Sequence, residues 1–345
     1  MLIEMAFPVI RKIQFSLLKV FNHVVICLAK ILIRIFRLEL TITNDTKSKI
    51  DGVGAQLQRL VSIIALCRHL GIIFLQQDIK DVTVHPLDPF QDPLSKSVFV
   101  DKVNMLFKSI GQPFDNSRHP TVTKCPSLTS IDLIKVIVRG IISKKNIIIE
   151  IVEPYQITNY YRNICVNLIG YFPGWLDFVN SFKDRVKSDV IYIHYRQGAG
   201  GYAVYPGQKL SRELPITFYL NKVKNILSSS PSPKKVFVFT DAPKNSFEYI
   251  PLSEQRFHWE GMPGFTMEVL HIDGNNLEDK FSSLGINVEI MRGGDPLEAI
   301  AIMSSATYLI TSRSSLSYLA ALFNNSGHIY PAEGFWHPTP SNWHS

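Results

Sequence analysis

The sequence predicts an α/β protein with two doubly wound, Rossmann-like domains facing a cleft, preceded by an N-terminal amphipathic helix. Short apolar runs that end in polar residues alternate with helical patterns, which is typical of parallel sheets. This alternation occurs twice in 345 residues, a length sufficient for two domains. We expect a helix within residues 1–37, an N-terminal domain over 38–173 and a C-terminal domain over 174–345.

The N-terminal domain is predicted to open with a strand, a glycine-containing loop and a helix. Residues 38–44 alternate apolar and polar side chains, as a strand with two different faces does. A helix over 55–70 follows, with its apolar residues expected on one face, and Gly71 stands where helices end in a left-handed residue. The other elements expected in this half are strands at 72–75 and 146–152 and a helix at 96–110.

The C-terminal domain repeats the same alternation, and its predicted elements are more regular. Strands are expected at 190–195, 235–240, 287–291, 307–311 and 328–330, and helices at 178–186, 215–227, 296–303 and 315–323. A long glycine-rich loop, residues 197–208, follows the first of these strands.

Composition and charge exclude several classes of protein. Hydrophobic residues form 46% of the chain, too many for a disordered or collagen-like protein. The four cysteines are scattered, which argues against a zinc ribbon or a disulfide scaffold. Residues 1–37 contain six basic residues and one acidic residue, and therefore carry +5 of the net charge of +7. The rest of the chain is nearly neutral, so no nucleic-acid-binding face is expected.

Residues 9–38 predict an amphipathic helix that lies in a membrane interface. Lys12, Lys19, Lys30 and Arg37 are spaced 7, 11 and 7 residues apart, which places them on one stripe of a helix. Phe15, Leu18, Ile26, Ile33 and Phe36 fall away from that stripe, whereas Arg34 interrupts the apolar side. Lysines on such a stripe suit anionic lipid headgroups.

Two alternatives remain for this segment, a helix packed on the core and a signal-anchor of the Golgi or secretory pathway. The longest internal stretch without Lys, Arg, Asp or Glu is Val20–Ala29, shorter than the roughly 20 residues that a spanning helix needs. We therefore expect a membrane-associated protein at the cytoplasmic face.

Three polar segments follow predicted strands or precede predicted helices. They are Asp51–Gln56, which contains Gly52 and Gly54; His194–Gly198, which contains Arg196; and Thr311–Ser315, which contains Ser312 and Ser314. Ligands of open parallel sheets bind at the carboxyl ends of strands, and helix N-termini favour anions. Each segment singly also has a structural explanation: a tight turn for the first, an ion pair for the second and a serine N-cap for the third. The three segments together favour a nucleotide diphosphate as the ligand.

Four segments together resemble the fucosyltransferase superfamily, especially the α-1,2-fucosyltransferase family and its α-1,6 and O-fucosyl relatives. DGVGAQLQR at 51–59 is similar to the family's glycine loop and first helix, and VIYIHYR at 190–196 resembles its His-x-Arg strand. VFVFTD at 236–241 and the segment 295–320 resemble its phenylalanine-rich strand and its serine-rich loop. The order and spacing of these motifs match over roughly residues 38–337.

The resemblance implies a GT-B glycosyltransferase that inverts configuration, binds GDP-fucose without a metal ion or other cofactor, and acts on a glycan or glycolipid acceptor. By position, Arg196 would contact the β-phosphate, and His194 and Asp295 the guanine or ribose. Ser314 and Ser315 would hold the pyrophosphate. Ser312 belongs to the same serine-rich loop, and Gln56 belongs to the glycine loop. Gly52 and Gly54 would close over the donor from the other domain.

Some features depart from the family or stay open. Gln197 stands where the family has a second arginine, so the donor sugar and the linkage are not readable. The alternatives are a GT-B enzyme that uses another nucleotide sugar, or a non-catalytic membrane-associated binding protein of the same fold. Asp51 is the first candidate for a general base, followed by His85 and Asp88.

Overall fold

The structure, a computed structural model, describes residues 24–25, 27–36, 40–44, 51–83, 89–108, 112–113, 122–127, 130–143, 147–153, 172–196, 214–230, 232–241, 247–248, 271–272, 277–333, 339–340 and 343–344. They form a mixed α/β protein with two five-stranded parallel sheets and a short antiparallel pair of strands. The predicted α/β class and its parallel sheets are thus confirmed, whereas the N-terminal amphipathic helix stays a prediction. The chain divides into two compact units, and each contains one of the parallel sheets.

The bounds of the elements are as follows. The strands are β1 (Leu40–Asn44), β2 (Ile73–Gln76), β3 (Gln112–Pro113), β4 (Val122–Ser127), β5 (Ile147–Glu153), β6 (Val190–Tyr195), β7 (Lys235–Thr240), β8 (Phe247–Glu248), β9 (His271–Ile272), β10 (Asn287–Arg292), β11 (Tyr308–Ile310) and β12 (His328–Tyr330). The helices are α1 (Val53–Leu70), α2 (Pro93–Leu106), α3 (Ser130–Ser143), α4 (Pro173–Asn180), α5 (Ile216–Ser229), α6 (Leu277–Ser282), α7 (Pro296–Ser304) and α8 (Ser315–Phe323).

The first unit, Met1–Ile50, Gln58–Lys80 and Lys108–Leu168, holds the sheet β3-β2-β1-β5-β4. β1 pairs with β2 on one side and with β5 on the other. The topological switch point of this sheet therefore lies between β1 and β5.

The second unit, Asp51–Leu57, Asp81–Phe107 and Ile169–Ser345, holds the sheet β10-β7-β6-β11-β12. β6 pairs with β7 on one side and β11 on the other, which places the switch point between β6 and β11. One face of β6 contributes Ile191, Ile193 and Tyr195 to a core that includes Tyr219 and Val223 of α5. Alternation along the strand turns His194 to the opposite face.

Residues 51–57 and 81–107 group with the second unit, although both segments precede residue 174 in the chain. The domain bounds expected from the sequence, 1–37, 38–173 and 174–345, stay predictions, as does the cleft between the domains.

Three helices differ from their predicted form. α1 is buried at every residue from 53 to 67, not on one face only. α4 begins at Pro173, five residues before its predicted start, because proline suits the first helical position. α2 begins at Pro93, where the Asp92 side chain accepts bonds from the Leu94 and Ser95 amides. By contrast, Gly71 ends α1 at φ 71°, as expected.

Part of the N-terminal segment is described, and it is helical at residues 24–25 and 27–35. Ile33, expected on the apolar side away from the lysines, is buried, together with Ala29. Within the described residues, no helix combines the length and apolar character needed to cross a membrane.

Candidate functional site

The carboxyl edge of the second sheet gathers polar side chains around its switch point. β6 ends at Tyr195, and the next residue is Arg196; β7 ends at Thr240, followed by Asp241; β11 ends at Ile310, followed by Thr311 and Ser312. Parallel register aligns His194 with Phe239, so His194, Arg196 and Asp241 share one face of the sheet. Apolar side chains continue that face away from the edge.

The aromatic layer beside the polar residues is formed by Tyr192, Phe237 and Phe239. The Tyr192 ring lies 5.9 Å from the Phe237 ring and 6.5 Å from the Phe239 ring, measured between centroids. Burial raises the pKa of the Tyr192 phenol above its usual value. The polar edge is thus backed by a poorly solvated layer, in which charge interactions are stronger than in water.

His194 and Ser312 join the ends of β6 and β11. The Nδ1 atom of His194 lies 2.6 Å from Oγ of Ser312, and the imidazole tautomer decides which group donates. Both residues are buried. The Ser312 amide also donates to Oγ of Ser317 over 3.2 Å, which ties the loop to α8. These contacts fix the imidazole at the switch point.

Arg196 and Asp241 form the charged part of the edge. Nη1 of Arg196 lies 3.8 Å from Oδ2 of Asp241, and the two side chains are only 9% and 14% exposed. The two groups form an ion pair, but their separation is longer than that of a hydrogen bond. The ion pair that could explain Arg196 structurally is therefore present. Its partner, Asp241, follows the neighbouring strand β7 at the same edge.

The serine-rich loop leads into the N-terminus of α8. Ser314 is the N-cap, and its hydroxyl accepts a bond from the Leu316 amide at 3.3 Å. Ser315 is the first helical residue and is half-buried. Nε of Arg313 donates to the Glu333 carbonyl at 2.7 Å. The first amides of α8 and the positive end of its dipole favour an anion at this point.

Gly54 lies against the start of α8 within the second unit. A Cβ added to Gly54 would stand 2.6 Å from Cα and 2.7 Å from N of Leu316. The close approach that glycine permits here is thus to the backbone of α8. This packing is a structural reason for Gly54 that the sequence did not show, and it groups the glycine loop with the unit that was expected to bind the donor.

The rest of the glycine loop is held by local bonds. Oδ1 of Asp51 accepts from the Gly52 amide at 2.8 Å, and the Asp51 carbonyl accepts from the Thr83 amide at 2.9 Å. Nε2 of Gln56 donates to the Asp81 carbonyl at 3.4 Å, and Gln56 is buried. Asp51 is half-buried.

Asp295 lies at the same carboxyl edge, beyond β10 and two strands from β6, a spacing of about 10 Å. It is the N-cap of α7, since its Oδ1 accepts from the Leu297 amide at 2.8 Å. Its Oδ2 lies 2.6 Å from Nζ of Lys102. The residue predicted to contact the nucleoside therefore also caps a helix and pairs with α2.

Sequence reasoning found most of this edge but missed three of its side chains. Asp241 ends the phenylalanine-rich strand motif but was given no role, and Ser317 lies inside a predicted helix. Lys102 also lies inside a predicted helix, and no motif surrounds it. His85, Asp88 and the loop at 197–208 lie outside the described residues. Among the residues that the structure describes, no three His, Cys, Asp or Glu side chains cluster closely enough to hold a metal ion.

Comparison with known proteins gives a structural likeness only. No protein-family model matches the chain, and no curated protein matches it. The fold is similar to POFUT1 in complex with GDP, at 11% identity and a TM-score of 0.45, over 86% of this chain and 98% of that one. It is also similar to fucosyltransferase NodZ from Bradyrhizobium, at 11% identity and a TM-score of 0.41, over 83% and 93%. At such values, function rests on this chain's own residues.

Proposed function

We propose that the chain is an inverting, metal-independent GT-B glycosyltransferase. It transfers fucose from GDP-fucose to a hydroxyl group of a glycan or lipid-linked acceptor. One observation carries the proposal: the His194–Ser312 contact joins the two strands of the switch point beside the buried charge of Arg196. Open parallel sheets bind ligands at this position. The resemblance of the surrounding motifs to fucosyltransferases supports the choice of donor.

Arg196 is proposed to bind the diphosphate of the donor. Its planar guanidinium matches two phosphate oxygens and stays charged at any relevant pH. Asp241 orients the guanidinium from 3.8 Å away. As the glycosidic bond breaks, negative charge grows on the leaving diphosphate, and a preorganised cation there lowers the barrier.

The start of α8 is proposed to bind the other face of the diphosphate. Ser314 and Ser315 present hydroxyl groups beside the first amides of the helix. These neutral donors and the helix dipole add to the charge of Arg196. Such donors do the work that a divalent ion does in other transferases, which supports a reaction without metal.

His194, Ser312 and Asp295 are proposed to hold the nucleoside end. The 2.6 Å contact with Ser312 fixes the ring of His194, and the tautomer of the imidazole decides which ring nitrogen donates. A carboxylate accepts about four hydrogen bonds. Asp295 therefore has acceptor capacity beyond its bonds to Leu297 and Lys102.

Asp51 is proposed as the general base for the acceptor hydroxyl. Its carboxylate is half-buried, and its bond to the Gly52 amide holds it at the start of α1. Gly52, Gly54 and Gln56 are proposed to position this loop beside the donor. In an inverting reaction, the base takes the hydroxyl proton as the acceptor oxygen attacks the anomeric carbon and GDP leaves.

A donor panel tests the proposal. The full chain is titrated calorimetrically with GDP, UDP and CMP, and GDP-fucose, GDP-mannose, UDP-galactose and UDP-glucose are then assayed for release of the nucleotide. We expect binding of GDP and turnover of GDP-fucose. Turnover of a different sugar nucleotide would reassign the donor, GDP binding without turnover would favour a binding protein, and no binding at all would contradict the proposal.

A further inference from the structure

The described part of the N-terminal helix leaves four aliphatic side chains in solvent. Val24, Leu28, Ile31 and Ile35 are 59%, 46%, 52% and 67% exposed, and their spacing of four, three and four residues places them on one face. We call these four residues the aliphatic stripe. Contiguous exposed apolar side chains on a folded protein mark a surface that another molecule covers.

The helix packs through a different face. Ala29 is fully buried and Ile33 is 6% exposed, and both are more than 100° around the helix from the centre of the aliphatic stripe. The packed-helix alternative is therefore satisfied by Ala29 and Ile33, while the aliphatic stripe points away from the folded chain. The helix therefore packs on the folded chain through a face that does not include the aliphatic stripe.

Basic residues border the aliphatic stripe. Lys30 and Arg34 lie one turn apart on the arc between the stripe and the buried face; Lys30 is half-buried and Arg34 is exposed. Arg34, which interrupts the apolar side in the sequence pattern, thus lies at the border of the exposed stripe. Residues 1–37 carry six basic residues against one acidic residue.

We propose that the aliphatic stripe inserts into the anionic leaflet of a membrane, with Lys30 and Arg34 at the level of the headgroups. An apolar edge bordered by positive charge is complementary to anionic phospholipid. A second copy of the helix would instead oppose like charges across the interface. The attachment places the enzyme at the cytoplasmic face, beside lipid-linked acceptors, and is independent of the donor site.

Flotation of the full chain with vesicles tests the proposal. We expect it to float with phosphatidylglycerol–phosphatidylcholine vesicles and weakly with phosphatidylcholine alone. The double variant Leu28→Glu and Ile31→Glu replaces two aliphatic side chains that would be buried in the membrane. It should reduce partitioning of the protein onto vesicles by roughly 10²-fold or more. The matched control is Leu94→Glu with Val98→Glu, which also changes two aliphatics one turn apart, 76% and 62% exposed, on α2.

Charge is tested separately. The double variant Lys30→Gln and Arg34→Gln should weaken binding to anionic vesicles about 5-fold per charge, because a basic residue near such a surface contributes about 1 kcal/mol. Added salt should reduce the difference between the wild type and this variant. Wild-type protein that does not float, or a Leu28→Glu and Ile31→Glu variant that floats as well as wild type, overturns the proposal. If the wild type forms a dimer that does not bind vesicles, and the Leu28→Glu and Ile31→Glu variant is monomeric, the aliphatic stripe binds a second copy of the chain and the proposal is overturned.

A dye on Cys27 gives a second measurement. Cys27 is exposed and borders the aliphatic stripe, whereas burial of Cys67 raises the pKa of its thiol and makes it a poor nucleophile. An environment-sensitive dye on Cys27 should shift to the blue when anionic vesicles are added. Protein with Cys27→Ser, labelled in the same way, gives the background. An unchanged spectrum contradicts insertion.

Discussion

The carboxyl edges of the two parallel sheets each include a switch point beside the first strand of the sheet, but their chemistry differs. In the first unit, the side chain of Asn44 exchanges two bonds with the backbone of Gln77, each 2.9 Å long. Nε2 of Gln77 then donates to Thr43 at 3.2 Å and to Glu150 at 3.3 Å. In the second unit, the edge carries the Arg196–Asp241 pair and the His194–Ser312 contact.

The difference indicates that polar residues at strand ends can have different roles. Asn44 imitates a strand by bonding both backbone groups of Gln77, so it satisfies polar groups that β2 leaves at its end. The edge of the second sheet instead collects a cation and the N-terminus of α8. The first edge is therefore interpreted as a structural tie and the second as the candidate anion site.

Among the variants that test the contrast between the two edges, those at Arg196 should have the largest effect on activity. Arg196→Ala should lower kcat/KM for the donor by roughly 10²–10³, about 3–4 kcal/mol, because the leaving diphosphate loses its cation. Arg196→Lys keeps the charge without the planar fork and should retain weak activity. Kinetics and the melting midpoint are measured on the same sample.

Two further variants separate the roles of Arg196. Arg139→Ala, which removes an exposed arginine of α3 in the first unit, is the control and should keep most activity. Asp241→Asn removes the ion-pair partner and should reduce activity less than Arg196→Ala. If Arg196→Ala turns over the donor normally but melts earlier, the residue serves the ion pair alone and the assignment of the edge fails.

Gly54→Ala should destabilise the second unit by about 1–3 kcal/mol, since the added methyl group meets the Leu316 backbone at 2.6 Å and a backbone cannot rotate away. Denaturant unfolding measures the loss. Gly71→Ala is the comparison, because nothing lies within 4 Å of its added Cβ and only its positive φ opposes the change. A larger loss at Gly71 than at Gly54 would show that α1 and α8 do not approach so closely.

Asn44→Ala tests the structural tie of the first unit. It removes both bonds to the backbone of Gln77, and we expect a free energy of unfolding lower by about 2 kcal/mol. The Kd for GDP, measured by calorimetry on the folded variant, should not change. Asn44→Asp keeps the acceptor and loses the donor, so its effect should be intermediate. A weakened Kd for GDP would mean that this edge also belongs to the donor site.

Chelation should have the smallest effect. With Arg196 and α8 in the place of an ion, activity should survive EDTA unchanged within the error of the assay. The same assay with added Mg²⁺ or Mn²⁺ is the control. Activity that EDTA abolishes and either ion restores would contradict the assignment of the leaving group to Arg196.

The sequence alone determined the bounds of local elements that are short apolar runs between loop or cap residues. β6, β7, α8 and β12 have the bounds predicted for them, because polar, glycine or proline residues flank each run. The elements at 122–127 and 130–143, β4 and α3, were not predicted, and the burial of every residue of α1 from 53 to 67 was not foreseen. Such burial depends on what packs around a helix, which its own pattern does not contain.

Only the tertiary structure decided which residues meet. His194 and Ser312 are 118 positions apart, and Lys102 and Asp295 are 193 apart. These contacts depend on the strand order, which sets β11 beside β6, and on the helix packing that brings Gly54 to Leu316. Side-chain patterns fix each element's faces, whereas strand order follows from burying all those faces at once. The sequence therefore pointed to the polar strand ends, and the fold decided which of them meet.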